Sequence, residues 1–157
     1  MNEKYFIAFV DTENVSCDVI RGIKEIQKKY VNHKSAKVYC YGIEDTKSPN
    51  SKAWKEKTEY LAGFNWKKVE GPREKNTVDN RIIQDINSVL RSPNLDCINV
   101  WIIATSDGDF LPVIKKIKER KNNSVIGIGS SDPSERLLRA CDAYYKYTRD
   151  YKWCKLK

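Results

Sequence analysis

"INVWIIATSDGDF", residues Ile98–Phe110, is the stretch that decides how this chain folds. From Ile98 to Thr105 it is the most hydrophobic segment with strand character, as expected for a strand buried on both faces at the centre of a sheet. The apolar run then stops. A hydroxyl, Ser106, and two carboxylates, Asp107 and Asp109, follow within a few residues, the acids separated by one glycine. Packed charges of one sign repel, so either a cation neutralises them or they cap the helix that comes next.

Working outward, strand and helix patterns alternate. "YFIAFV" (Tyr5–Val10) and "AKVYCYG" (Ala36–Gly42) precede the central run as strands, with a short strand near Trp66–Val69; "SVIGIG" (Ser124–Gly129) and a last strand around Ala143–Tyr147 follow it. Between Val15 and Tyr30, the residues Val19, Ile23, Ile26 and Tyr30 mark one helical face. A second helix is expected across Lys52–Ala62. After a polar loop from Glu70 to Asn76, Thr77 opens a third, with Val78, Ile82, Ile83, Ile86 and Leu90 on its apolar side. A fourth runs from Gly108 to Lys121, with Pro112 tolerated because it falls near the first turn. "DPSE" (Asp132–Glu135) reads as an N-cap acid, a proline at the first helical position and a glutamate three after the cap, opening a short helix to Cys141. This alternation predicts an α/β fold, a three-layer αβα sandwich with a mostly parallel central sheet. In such sheets, sites form beyond the carboxyl ends of the strands where the strand order reverses.

At 157 residues the chain fits a single domain, 1–157, that buries about 70% of its unfolded surface without staples. With 40% hydrophobic and 32% charged residues it reads as soluble and globular. No apolar stretch approaches the ~20 residues of a membrane span, and "MNEKYF" lacks a signal-peptide pattern, which predicts a cytoplasmic protein without membrane contact. Its five cysteines, Cys17, Cys40, Cys97, Cys141 and Cys154, show no CxxC pair and are expected to be reduced thiols. The sole histidine, His33, argues against a structural zinc site and against Ser-His-Asp or Cys-His catalysis. Lys and Arg number 29 against 21 acids, a formal charge of +8, which attracts polyanions or simply solvates the surface.

Acids that can converge come from three places: Asp11 with Glu13 and Asn14, Asp79 with Asp85, and Asp107 with Asp109. If the first and fourth strands are neighbours, Asp11 and Asp107 reach one cation. Oxygen-only ligands favour a hard ion, Mg²⁺ or Mn²⁺. Two carboxylates ~4 Å apart repel by roughly 4 kcal/mol at an effective dielectric near 20, so such a cluster calls for a cation or a proton. Taken singly, each acid is as well explained as a cap; Asp79 in a first turn gains ~0.3–1 kcal/mol from the helix dipole. Asp85 lies about 240° around the helix from Asp79 and reads as peripheral. Glu13 is expected to face solvent, and Asn14 to bind a water or phosphate oxygen or to cap a helix beginning near Val15.

Four segments, "FVDTENV", "TVDNRIIQDI", "WIIATSDGDFLPVIKKIKERKNNSVIGIG" and "SERLLRACDAYYKY", together resemble the NYN family of PIN-like nuclease domains, which includes LabA-like proteins. The resemblance covers nearly the whole chain. It implies a PIN-like (Rossmannoid) parallel fold, an acid cluster binding Mg²⁺ or Mn²⁺, and ribonuclease activity; the expected enzyme is an endoribonuclease acting on single-stranded RNA. It implicates Asp11, Asn14, Asp79, Ser106, Asp107 and Asp109. The chain departs from the family at Thr77, which stands where a glycine often precedes the helical acid. On this reading Asp11 and Asp107 are the primary metal ligands, Asp79 and Asp109 complete the catalytic pocket, and Asn14 and Ser106 position phosphate oxygens or waters.

An acidic pocket that takes a polyanion needs bases around it. Lys67, Lys68, Arg73 and Lys75 precede the helical acid, and of these Arg73 and Lys75, in the loop nearest the cleft, are the expected substrate-binding residues; Lys115, Lys116, Lys118, Arg120 and Lys121 read as a solvated helix face. Trp54, Trp66 and Trp153 can stack bases if exposed, whereas Trp101 belongs to the core. A homodimer or a protein partner is compatible with the chain but has no readable interface. The competing class is a non-catalytic RNA-binding or partner-docking module of the same fold. A phosphotransfer receiver would need its acceptor near Asp45, a Toprim-like domain an early glutamate, and a haloacid-dehalogenase-like phosphatase an aspartate where Glu13 stands.

Overall fold

The apolar run at Tyr5–Val10 becomes β1 (Lys4–Asp11), the strand around which the rest of the sheet is assembled. The computed structural model describes residues 4–30, 36–43, 48–71, 74, 76–91, 98–105, 107–147 and 153–157. In chain order β1 is followed by α1 (Val19–Tyr30), β2 (Ala36–Gly42), α2 (Pro49–Thr58), β3 (Phe64–Lys68), α3 (Thr77–Leu90) and β4 (Ile98–Ala104). A 3₁₀ turn at Gly108–Phe110 then leads into α4 (Leu111–Lys118), β5 (Asn123–Gly129), α5 (Glu135–Ala140), β6 (Ala143–Tyr147) and β7 (Trp153–Lys155). The sheet order is β3-β2-β1-β4-β5-β6-β7. The first six strands are parallel, and β7 pairs antiparallel to β6. The strand order reverses between β1 and β4, and β4 lies at the middle of the sheet, as its apolar content predicts.

Side chains alternate across the strands, so one sequence feeds two cores. Phe6, Ala8 and Val10 of β1 and Val100, Ile102 and Ala104 of β4 face the layer of α1 and α2. Phe9, Trp101 and Ile103 face the layer of α3, α4 and α5, and Trp101, 1% exposed, is core as expected. This is a three-layer α/β sandwich of PIN-like type.

The differences from the sequence reading are local. α1 begins at Val19 rather than near Val15, because the N–H groups of Asn14 and Val15 turn back onto the carbonyl of Asp11. α2 starts earlier than expected, capped by Ser48, whose hydroxyl accepts from the N–H of Ser51 at 3.2 Å. It ends at Thr58, and β3 begins at Phe64. Asp132 is not the cap of α5: it is held by Lys146 at 2.9 Å, and Ser134 accepts the N–H of Leu137 instead. Strand β7 escaped notice because three residues carry no periodicity. Cys17, Cys40 and Cys141 are free thiols. His33, Asp45, Arg73, Lys75, Cys97 and Ser106, and the side chains of Trp153 and Cys154, lie outside the described residues.

Candidate metal centre

The site is built from the chain that leaves β1. Asp11 ends that strand and its Cα pairs with Tyr41 of β2. The loop behind it is pinned by α2: Asn50 Nδ2 donates to the carbonyls of Thr12 (2.8 Å) and Val15 (2.9 Å), and the Trp54 indole donates to Val15 at 2.6 Å. Residues 50 and 54 are neighbours on one helical face, so a single side of α2 holds the whole turn. Trp54 is fully buried and unavailable for stacking on a base. Thr12 donates its hydroxyl to the Tyr41 carbonyl at 2.7 Å. A Cβ on Gly42 would come within 2.5 Å of that hydroxyl oxygen, so the end of β2 must be bare.

Asp11 is 1% exposed. The backbone N–H of Glu13 donates to its Oδ1 at 3.1 Å, and Asn14 Nδ2 donates to its Oδ2 at 2.6 Å. Asn14 therefore supports a carboxylate, with its amide N–H committed to Asp11. Burial pushes the Asp11 carboxyl above its usual range, and the hydrogen bonds from Asn14, Asp79 and Glu13 oppose that rise.

Asp79 lies in the first turn of α3, 2% exposed. Neither of its carboxylate oxygens meets a hydrogen-bond donor from the protein. Burial, then the charge of Asp11, raises its pKa to about 8, with Asp107 and Asp109 adding to the push. A proton shared with Asp11 is the only relief that the described protein groups offer this carboxyl. Most buried polar groups in folded proteins are hydrogen-bonded, and an orphan carboxyl with both oxygens bare marks a place for an unseen donor or cation.

Asp107 follows β4 and does two things. Its Oδ1 accepts the N–H of Asp109 at 3.0 Å, capping the 3₁₀ turn, while its own N–H donates to Thr105 Oγ1 at 3.1 Å. Phe110, fully buried, fastens the turn to the core. Ligand oxygens from Asp79, Asp107 and Asp109 lie within 4.8 Å of one another, so the cap and the cluster are built from the same side chain. The trio is graded from buried Asp79 to exposed Asp109. Asp11, expected to be a primary ligand with Asp107, is not one of this trio; it lines the same cleft as Asp79 and Asp107 and interacts with Asp79.

The cleft in front of these acids has a volume of about 300 Å³, and Asp11, Glu13, Asn14, Glu74, Asp79 and Asp107 are among the residues lining it. Two of these differ from the sequence reading. Glu13 turns towards the cleft, accepting the N–H of Ile43 at 3.3 Å, rather than facing solvent. Glu74 sits in the polar loop before α3, where no periodicity or motif in the sequence marks it. Asp85 is outside the cluster, as its angular offset predicts. It accepts from the Tyr41 hydroxyl at 2.7 Å and from Arg81 Nε at 3.2 Å. The expected roles of Ser106, Arg73 and Lys75 fall outside the described residues.

Carboxylates gathered past the ends of parallel strands, where the order reverses, form an acid cluster that could hold a metal ion in a PIN-like α/β sandwich. The chain belongs to the NYN domain family, whose model matches residues 6–148. Among solved structures it is similar to a protein of unknown function from Vibrio parahaemolyticus, with a TM-score of 0.69 and 19% identity over 96% of each chain, a likeness of fold. No curated protein matches the sequence.

Proposed function

We propose that this protein is a metal-dependent endoribonuclease that hydrolyses phosphodiester bonds of single-stranded RNA at the acid cluster. The observation that carries the reading is Asp79: a buried carboxylate whose two oxygens meet no protein donor, within 4.8 Å of ligand atoms from two more acids. An all-oxygen set of this kind fits a hard divalent ion, Mg²⁺ or Mn²⁺, and fits poorly with the softer metals that seek sulfur or imidazole. Asp79, Asp107 and Asp109 would hold the ion, with Asp11 alongside.

When bound, such an ion polarises a phosphoryl oxygen and lowers the pKa of water at the reaction centre. The chain's own groups do the rest. Asn14 and the N–H of Glu13 orient Asp11 and favour its charged form. Buried Asp79 would supply charge where solvent screening is weakest once a cation takes the place of its proton. Asp109, exposed at the rim, is the carboxylate able to take a proton from an attacking water and pass it to solvent. Ser106, Arg73 and Lys75 complete the proposal as contacts to phosphate. A cytoplasmic location belongs to the same reading; among the described residues, no helix is long and apolar enough to cross a membrane.

The test is cleavage of an end-labelled single-stranded RNA by the full chain over a Mn²⁺ titration, with Asp107→Asn in parallel. Internal cuts that need the metal and vanish in the variant are expected. Cleavage without metal, or unchanged in Asp107→Asn, overturns the mechanism. RNA binding without any cleavage moves the protein to the non-catalytic class.

A further inference from the structure

Helices α3 and α4 both start at the acid cluster, since Asp79 is in the first turn of one and Asp107 and Asp109 directly precede the other. They pack on the same face of the sheet. Between them is a groove of about 700 Å³, larger than the acid cleft, and its charge is opposite. Among the described residues four cations line it, Arg81, Arg91, Lys116 and Arg120, against two acids, Asp85 and Glu119, an excess of two positive charges.

The cationic heads are organised by neutral oxygens on the last turns of α3. Arg120 Nη2 donates to the Leu90 carbonyl at 2.8 Å, Lys116 Nζ to Asn87 Oδ1 at 3.3 Å, and Arg91 Nη2 to Ser88 Oγ at 3.3 Å. Among the described residues none of these three has an acidic partner; Arg81 is the one paired, with Asp85. Among the described residues each head makes one hydrogen bond, whereas a guanidinium has five donors and an ammonium three. The carbonyl end of α3 offsets part of the mutual repulsion, and an anion laid along the groove offsets the remainder. Arg91 follows Asp79 by twelve residues, roughly 18 Å along the helix, a span that holds a few phosphates of an extended strand.

We propose that the groove between α3 and α4 binds the sugar–phosphate backbone of the single-stranded RNA whose scissile phosphate lies at the acids, with Arg91, Lys116 and Arg120 as the phosphate contacts. This rests on the nuclease reading of the acid cluster. Among the described residues the lining has no aromatic ring, so the contact is to backbone and tolerates any base sequence. Lys116 and Arg120, expected to be a solvated helix face, thereby become part of the substrate path.

Binding is measured without turnover, by fluorescence anisotropy of a labelled oligouridylate on full-length Asp107→Asn protein in EDTA, across a salt series. In that background Arg91→Glu with Lys116→Glu is compared with Lys24→Glu plus Lys28→Glu, the same charge change on exposed positions of α1 in the opposite layer. Expected are at least tenfold weaker binding for the groove pair only, and a salt dependence shallower by about two counterions. Equal loss in both pairs, loss in neither, no binding at all, or equally ready displacement by polyglutamate overturns the proposal. Circular dichroism and Tm show that each variant is folded; if the groove pair proves unfolded, Arg91→Gln with Lys116→Gln takes its place under the same criteria. If groove variants lose binding as expected while the wild-type protein with Mn²⁺ never cuts, the groove stands and the nuclease reading falls.

Discussion

Two aspartates on α3, six residues apart, are handled in opposite ways. Asp85 is partly exposed and has a phenol and a guanidinium on it; Asp79 is buried with no donor at all. Tyr41 joins the two cases. Its carbonyl accepts from both the N–H and the hydroxyl of Thr12, next to Asp11, and its hydroxyl donates to Asp85 on the helix that carries Asp79. One residue thus ties together two elements whose acids repel. The third turn of α3 is built for stability, and the first turn holds charge together against its own repulsion, as functional sites do.

Breaking the first turn should have the largest effect. Asp79→Asn is expected to lower Mn²⁺-dependent RNA cleavage by at least about a thousandfold, read as kcat/KM, because it removes the most buried ligand. The same substitution should stabilise the metal-free protein at pH 8 by about 1–3 kcal/mol, the order of an unsatisfied buried polar group, as seen in urea unfolding. A variant that loses both activity and stability would erase the contrast between the two aspartates.

The acid dependence sharpens it. The folded pKa of Asp79 is about 8 against 3.8 for an ordinary aspartate, so folding favours its protonated form. That contribution is complete below about pH 3.8 and is lost as pH rises towards 8. The Tm of metal-free protein should therefore fall across this window from this group, and the fall should flatten in Asp79→Asn. Mn²⁺ should restore the Tm most strongly at the alkaline end.

At the third turn, Tyr41→Phe keeps the ring and removes the donor to Asp85. A loss of about 1–2 kcal/mol is expected in urea unfolding, with a modest weakening of Mn²⁺ binding by isothermal titration calorimetry, because α3 is less firmly held. The smallest effect belongs to the surface pair Glu135 and Arg139, each side chain 76% exposed. Arg139→Ala should change stability by under about 0.5 kcal/mol.

Much of this was legible in one dimension. The apolar run at Ile98–Thr105, its position at the sheet centre and the neighbouring acids followed from burial on both faces, and the α3 stripe of Val78, Ile82, Ile86 and Leu90 followed from helical period. Caps and boundaries were less legible. Asp132 carries a plausible capping pattern, but Lys146, fourteen residues away, claims its carboxylate, and Ser134 caps instead. Glu13 looked like a solvated acid until the N–H of Ile43, thirty residues on, came within reach.

The amino-acid order by itself determined a parallel α/β sandwich and the short list of acids, because hydrophobic period and strand-end position act over a few residues. Tertiary structure alone decided the ranking among those acids. Whether a carboxylate is paired like Asp85 or left bare like Asp79 depends on which distant donors fold against it and how much water they exclude. Desolvation and Coulomb repulsion are properties of that enclosure, and no local stretch of chain encodes them.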